Sequence, residues 1–314
     1  MPAPIFPPPQ AYERAAARLR RWLKSCVLCP RACRVDRLAG ARGFCRAGLT
    51  APVNLAQLHH GEEPPISGHQ GSGTIFFAGC TLACRFCQNY AISQEGWGDE
   101  MNAEDLAAVF LELQLAGAHN LNLVTPTPHL VVILQALAIA RRHGCRLPVV
   151  YNTSGYERAA TIRQLAGLVE VYLPDYKYSD NAVALRLSQA KGYVEHCRAS
   201  LREMFEQKGD LELDSQGVAV KGVLVRHLVL PHNLSGTDEV MRDLVRLGGR
   251  GVWVSLMSQY TPMYKAPETP GIERPLLAAE YQAATAALDQ AGIEHGFVQG
   301  LASANGKYVP GFVL

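Results

Sequence analysis

From residue 74 onward, the apolar positions alternate between two rhythms. Short β-branched or aromatic runs predict strands at 74–78, 121–125, 148–152, 169–173, 223–230 and 252–257. Between them, apolar residues three and four apart predict helices at about 103–116, 128–143, 157–166, 193–208 and 237–247, with another at 275–291. Asn102 with Asp105 three residues later suits a helix start, and Pro128 and Gly144 suit the opening and close of the next helix. Residues 211–221 read as a hairpin inserted before the fifth strand. Strand–helix alternation implies a parallel sheet with right-handed crossovers. Six such units are two short of a closed eight-fold barrel. The expected fold class is therefore α/β, a partial (three-quarter) (β/α)6 barrel, with a doubly wound sheet as runner-up. In both, reactive groups belong at the C-terminal ends of the strands.

The first 73 residues have another character. Residues 11–24 read as a short basic helix with one apolar stripe and a solvated face. Residues 25–73 hold Cys26, Cys29, Cys33 and Cys45, and Gly61, Pro64, Pro65, Gly68, Gly71 and Gly73 predict irregular coil in their latter part. The expected division is a cysteine-rich metal-binding segment over 1–73 and the partial barrel over 74–314. A chain of 314 residues accommodates one barrel plus a short module.

Composition narrows the class. Apolar residues are 48% and charged residues 18%, which excludes a disordered chain. The net charge of +2 gives no reason to expect a nucleic-acid partner. No apolar run reaches the ~20 residues that a membrane span needs, and 130–140 is too short. Residues 1–10 are Pro-rich without a secretory apolar core, so a cytoplasmic, reducing location is expected. There, nine cysteines suit metal better than disulfides. Cys145 and Cys197 stand alone and read as core.

The strongest chemical signal follows the first predicted strand. Cys80, Cys84 and Cys87 form C-x3-C-x2-C directly after Gly79, so one loop can wrap three corners of a small cluster. A cubane normally takes four thiolates. Three leave one iron open to an exogenous chelator, the feature that separates a catalytic metal site from a closed one. With Phe86 as the aromatic of C-x3-C-x-aromatic-C, the loop resembles the radical S-adenosylmethionine (SAM) superfamily. The stretches GEEPPISGHQGSGTIFFAGCTLACRFCQN, LPDYKY, RHLVLPHN and SLMSQYTP resemble the branch related to pyruvate formate-lyase activating enzymes.

The resemblance implies a [4Fe-4S] cluster on Cys80, Cys84 and Cys87. It implies SAM cleaved reductively to a 5′-deoxyadenosyl radical, and a hydrogen atom taken from a substrate. Phe86 would meet the adenine. The loop that usually reads Gly-Gly-Glu and holds the SAM amino group is here Thr125-Pro126-Thr127, a departure that leaves backbone carbonyls and two hydroxyls as acceptors. Asn152 and Ser154 after the third strand, and Asp175 and Lys177 after the fourth, match positions that hold the SAM carboxylate, the ribose and a nearby monovalent cation. His227 in the fifth strand is a further SAM-facing candidate, weighed against a core histidine. Gln259 and Tyr260 follow the sixth strand. His59, His60, Glu62 and Glu63 read as a lid or a solvated loop.

Cys26-x2-Cys29-x3-Cys33-x11-Cys45 supplies four ligands, enough for a tetrahedral zinc or a complete iron–sulfur cluster. Spacing leaves the metal open. Activating enzymes with extra clusters often carry them after the three-cysteine loop, whereas here residues 88–120 hold no cysteine. The substrate class stays broad: a protein glycine, as in a glycyl radical enzyme, another peptide or a small molecule. A flavodoxin or ferredoxin is the expected electron donor. The alternative is a metal-stabilised structural or binding protein without radical chemistry.

Overall fold

The computed structural model describes residues 6–301 and residue 312. Its strands are β1 (Ala51–His59), β2 (Ser72–Phe77), β3 (Asp99–Met101), β4 (Leu121–Val124), β5 (Val149–Thr153), β6 (Val171–Pro174), β7 (Glu212–Leu213), β8 (Ala219–Leu228), β9 (Trp253–Met257) and β10 (His295–Val298). Its α-helices are α1 (Pro9–Trp22), α2 (Pro64–Ser67), α3 (Ala103–Leu115), α4 (Leu130–Arg142), α5 (Ala159–Arg163), α6 (Asn181–Ser188), α7 (Tyr193–Lys208), α8 (Thr237–Gly248) and α9 (Ala278–Ala291). The sheet order is β10-β9-β8-β6-β5-β4-β2-β1-β3, with the short β7 pairing on β8. From β2 to β10 every step in that order is parallel and follows the chain.

An order that never reverses has no topological switch point, so the sheet is wound in one direction. Helix α3 packs on α4, α7 packs on α5, α6 and α8, and α8 packs on α9. Among the described residues the sheet does not close on itself, and β10 and β3 are its edge strands. The fold is the expected partial barrel, extended by a seventh parallel strand, β10.

Local chemistry explains several elements. Asn102 Oδ1 accepts from the Asp105 amide at 2.9 Å while Asp105 reaches back, a capping box that starts α3. Helix α4 buries nine of its side chains and carries Arg141 and Arg142 in its last turn. Helix α1 lays Tyr12, Ala15, Ala16 and Leu19 against α4, so its apolar stripe is core.

The coil expected before residue 74 needs correcting. Residues 51–59 form β1, antiparallel to β2 with His59 opposite Ser72. Most of its residues are half-buried on both sides, so no clean alternation marks it in the sequence. After β1 the chain crosses the narrow end of the barrel as α2, where Asn120 Nδ2 donates to the Ile66 carbonyl at 2.7 Å. Ile66, Val150, Val171, Leu173 and Leu224 pack together to fill that end of the interior. Among the described residues, no helix is long and apolar enough to cross a membrane.

Candidate active site

Above this plug lies a cavity of about 710 Å³ at the C-terminal ends of the strands. Cys80, Cys84, Cys87 and Phe86 line one wall. Gly79 makes their turn possible. Its φ is +83°, and a Cβ there would stand 2.5 Å from the Cys45 carbonyl oxygen. The turn is then pinned to the end of α6, the Ala83 amide donating to the Ser188 carbonyl at 3.0 Å and the Arg85 amide to the Leu187 carbonyl at 2.8 Å.

Each thiol has its own hydrogen-bond donor or partner. Ser188 Oγ donates to Cys84 Sγ at 3.0 Å and is itself held by Tyr178 Oη at 2.6 Å. Ser93 Oγ lies 3.2 Å from Cys87 Sγ, and the Leu82 amide donates to Cys80 Sγ at 3.4 Å. Burial, joined by the charge of Cys84, pushes the Cys87 thiol up to about 11, and burial raises Cys80 and Cys84 as well. Thiols this deep keep their protons unless a metal replaces them.

Across the cavity, Lys177 Nζ meets Asp175 Oδ2 at 2.5 Å, both side chains mostly buried. Burial works against the lysine charge, but Asp175 and then Cys84 outweigh it and hold the pKa above the ordinary lysine value. This pair is no solvated surface bridge. Thr125, Asn152 and Ser154 complete the same rim. Gly155 (φ +74°) lets the 152–155 loop close on β6, since a Cβ there would fall 2.0 Å from the Asp175 carbonyl oxygen. Gln259, Tyr260, His59, His60, Glu62 and Glu63 also line the cavity.

With three thiols on one wall and a lysine–carboxylate pair opposite, the comparisons with known proteins can be weighed. Residues 74–206 match the model of the Radical SAM superfamily. An uncharacterized protein of Methanocaldococcus jannaschii is 33% identical over 270 residues, covering 83% of this chain and 73% of that protein. The chain belongs to the radical SAM superfamily. Among solved structures, it is similar to the radical SAM methyltransferase TsrM of Kitasatospora setae, solved with cobalamin and a [4Fe-4S] cluster (13% identity, TM-score 0.46, 85% of this chain and 57% of that one). It is also similar to HydG, a maturase of the FeFe hydrogenase (12% identity, TM-score 0.49, 93% and 63%). The chain thus spans under two thirds of the length of either solved structure.

The superfamily implies a [4Fe-4S] cluster and SAM, and the cysteine wall suits the cluster. Among the described residues, no three or more Cys, His, Asp or Glu side chains gather closely enough to hold a single ion. A cubane needs no such common point, because each thiolate takes a different iron.

Three expected SAM contacts lie elsewhere. His227 is fully buried on the helix side of β8. Its Nδ1 lies 2.6 Å from the Tyr176 carbonyl and its Nε2 3.0 Å from Thr237 Oγ1, while burial lowers its pKa to about 4 and keeps it neutral. It is a core histidine with both ring nitrogens satisfied. Thr127 and Pro126 do not line the cavity. Thr127 sits in a 3-10 turn that aims its hydroxyl at Tyr151 Oη (2.8 Å) and Glu157 Oε1 (2.5 Å). The four N-terminal cysteines line a separate, small space that also touches Thr81 of the three-cysteine loop.

Sequence reading missed two features. Arg226, one residue before His227, faces the cavity and binds Glu63 through two contacts at 2.6 and 2.8 Å, with Glu62 on the same guanidinium. Burial disfavours the Glu63 charge, but Arg226 holds the carboxyl below its ordinary range. Glu62 and Glu63 are therefore a buried ionic floor, neither lid nor solvated loop. The second is Tyr193, buried in α7. Its Oη accepts from the Lys177 amide at 2.9 Å and faces the Ser154 and Asp175 carbonyls at 3.0 and 3.1 Å. One hydroxyl thereby ties together the two loops that carry Ser154, Asp175 and Lys177.

Proposed function

We propose that this chain is a radical SAM enzyme of the activating-enzyme-like type, which takes a hydrogen atom from a peptide or protein segment entering through the open side of the barrel. The observation that carries this reading is the placement of Cys80, Cys84 and Cys87 opposite the Asp175–Lys177 pair across one cavity. When bound, a [4Fe-4S] cluster with an open corner supplies the electron that cleaves SAM to a 5′-deoxyadenosyl radical.

The chain's own residues bind and orient. Lys177 offers a point charge to the SAM carboxylate, and Asp175 fixes the ammonium and shares the rim with Ser154 and Asn152. Thr125 has φ +61°, a left-handed conformation costly for a β-branched residue. It occupies the first place of the usual Gly-Gly-Glu, where glycine adopts that shape freely. Phe86, braced edge-on by Tyr260 at 5.9 Å, gives an apolar surface for the adenine. A volume of about 710 Å³ falls within the range of sites that enclose a whole cofactor or ligand. The support for a peptide substrate is that β10 and β3 do not pair among the described residues, together with the likeness to activating enzymes. A reduced flavodoxin or ferredoxin is the proposed donor.

The test is anaerobic incubation of the reconstituted, reduced protein with SAM. The expected product is 5′-deoxyadenosine, absent from a Cys80→Ala control. Production no greater than that control would leave the metal-stabilised binding protein as the better reading.

A further inference from the structure

We propose that Glu62, Glu63 and Arg226, at the bottom of the cavity, form a subsite for a cationic group of the substrate: an ammonium or guanidinium on an apolar stem. The inference rests on reading this cavity as a radical SAM active site, and it adds the class of molecule that the site takes.

Arg226 Nε donates to Glu63 Oε1 at 2.8 Å, and Nη2 donates to Glu63 Oε2 at 2.6 Å and to Glu62. One guanidinium therefore serves two carboxylates, and one negative charge is left over. The side chains of Arg226, Glu62 and Glu63 are 12%, 9% and 6% exposed, and all three line the cavity. Asn122 on β4 points the same way. Its Nδ2 donates to Glu62 Oε1 at 2.8 Å, while the Oδ1 of the same fully buried amide has no hydrogen-bond partner. The floor thus holds an excess of acceptors over donors as well as of negative over positive charge. Such an excess, held away from bulk water, is costly until a cation that donates hydrogen bonds meets it.

The rest of the lining does not cancel the surplus. Its other acidic and basic side chains, Asp175 and Lys177, pair with each other. Counting histidines as neutral at pH 7, the lining sums to one negative charge. SAM brings one net positive charge and a cubane on three thiolates one net negative charge, so their binding leaves the surplus in place.

The walls above the floor set the shape of the ligand. Leu228 and Val124 stand two residues further along β8 and β4 than Arg226 and Asn122, on the same faces, and both line the cavity. Phe76, Met257 and Phe297 join them. An apolar tier over an anionic floor suits an aliphatic chain that ends in a cation. In a peptide, that group is a lysine or arginine side chain.

The test is saturation-transfer NMR on the full chain, reconstituted without oxygen and left unreduced so that SAM stays intact. The probes are n-butylammonium, n-butylguanidinium, n-butanol and butyrate, each with and without saturating SAM. We expect the two cations to bind at least about tenfold more tightly than n-butanol, with and without SAM, and butyrate not to bind. Glu62→Gln keeps the shape and leaves Arg226 balanced by Glu63 alone. It should weaken both cations about tenfold and leave n-butanol within about twofold. The proposal is overturned if cations and n-butanol bind alike, if butyrate binds best, or if Glu62→Gln changes nothing. It is also overturned if SAM displaces the cations, because the floor would then hold the ammonium of SAM itself. Should Glu62→Gln fail to fold by circular dichroism, the wild-type order of the four probes decides. None of these readouts requires SAM cleavage, so a chain that makes no 5′-deoxyadenosine can still select cations, and the two readings fail separately.

Discussion

The two cysteine loops use the same residue in opposite settings. Cys80, Cys84 and Cys87 face a large cavity, share it with Lys177 and leave room for a ligand. Cys26, Cys29, Cys33 and Cys45 line a space with almost no free volume, with Cys33 exposed, and are flanked by two arginines. Three ligands and an open cavity suit chemistry on an exogenous molecule; four ligands and a closed one suit shape or electron storage. Each loop has its own cation, and the two cations should fail differently.

Arg37→Met and Lys177→Met break that comparison most strongly. If four thiolates surround a metal core, Arg37→Met strips a counter-charge from a buried anion and lowers stability by roughly 3–5 kcal/mol. If the thiols are neutral, the same change removes an uncompensated buried charge and raises stability. The sign of the change on denaturant unfolding therefore separates the two cases. Lys177→Met should instead weaken SAM binding roughly 10- to 100-fold, the value of a lost charge-assisted hydrogen bond. Anaerobic calorimetry checks it, and Arg37→Met should leave that affinity within about twofold.

The wall between the loops supplies the next contrast. Glu157 is fully buried there, with Thr127 and Thr153 hydroxyls on Oε1 and no partner on Oε2. Burial raises its pKa to about 7, and the two hydroxyls offset only part of that. Between about pH 4.5 and 7 the folded chain keeps a proton that the unfolded chain releases, so stability falls as pH rises through that window. Glu157→Gln removes the slope. Its stability relative to wild type should grow by roughly 2–3 kcal/mol from pH 5 to pH 8. A pH-independent difference in chemical denaturation would show that the carboxyl is not held neutral by the wall.

The three-cysteine loop was legible because its signal is contiguous: strand, Gly79, three thiols and Phe86 within a few residues. The singly wound sheet was legible because each strand is a short apolar run. The ionic floor was not, since Arg226 and Glu63 are separated by 163 positions. Strand parity hid it further. Strand β8 is apolar on both faces, so nothing in VLVRHLVL says whether Arg226 or His227 points inward. A one-residue difference exchanges the faces, and the histidine, chemically the more suggestive, lies on the packed side. Strand β10 was missed because HGFV is short, with little buried surface to set a rhythm.

Tyr193 carries the smallest expected effect and sharpens the comparison most on the open side. It does not line the cavity, and the thiol beside it is the core Cys197, yet its hydroxyl spans the Ser154, Asp175 and Lys177 backbone groups. Tyr193→Phe keeps the ring, which stacks on Tyr156 at 6.1 Å, and removes only the oxygen. The Lys177 amide then loses its acceptor at a cost of about 1–2 kcal/mol. A positioning residue of this kind should act on binding: the KM for SAM should rise roughly 5- to 20-fold while kcat stays within about twofold. Any metal held by the four N-terminal cysteines should be retained, because no contact of Tyr193 reaches them. A fall in kcat with KM unchanged would mean that the hydroxyl supports the reacting geometry rather than SAM placement. Loss of metal from the closed loop would show that the two regions are mechanically one.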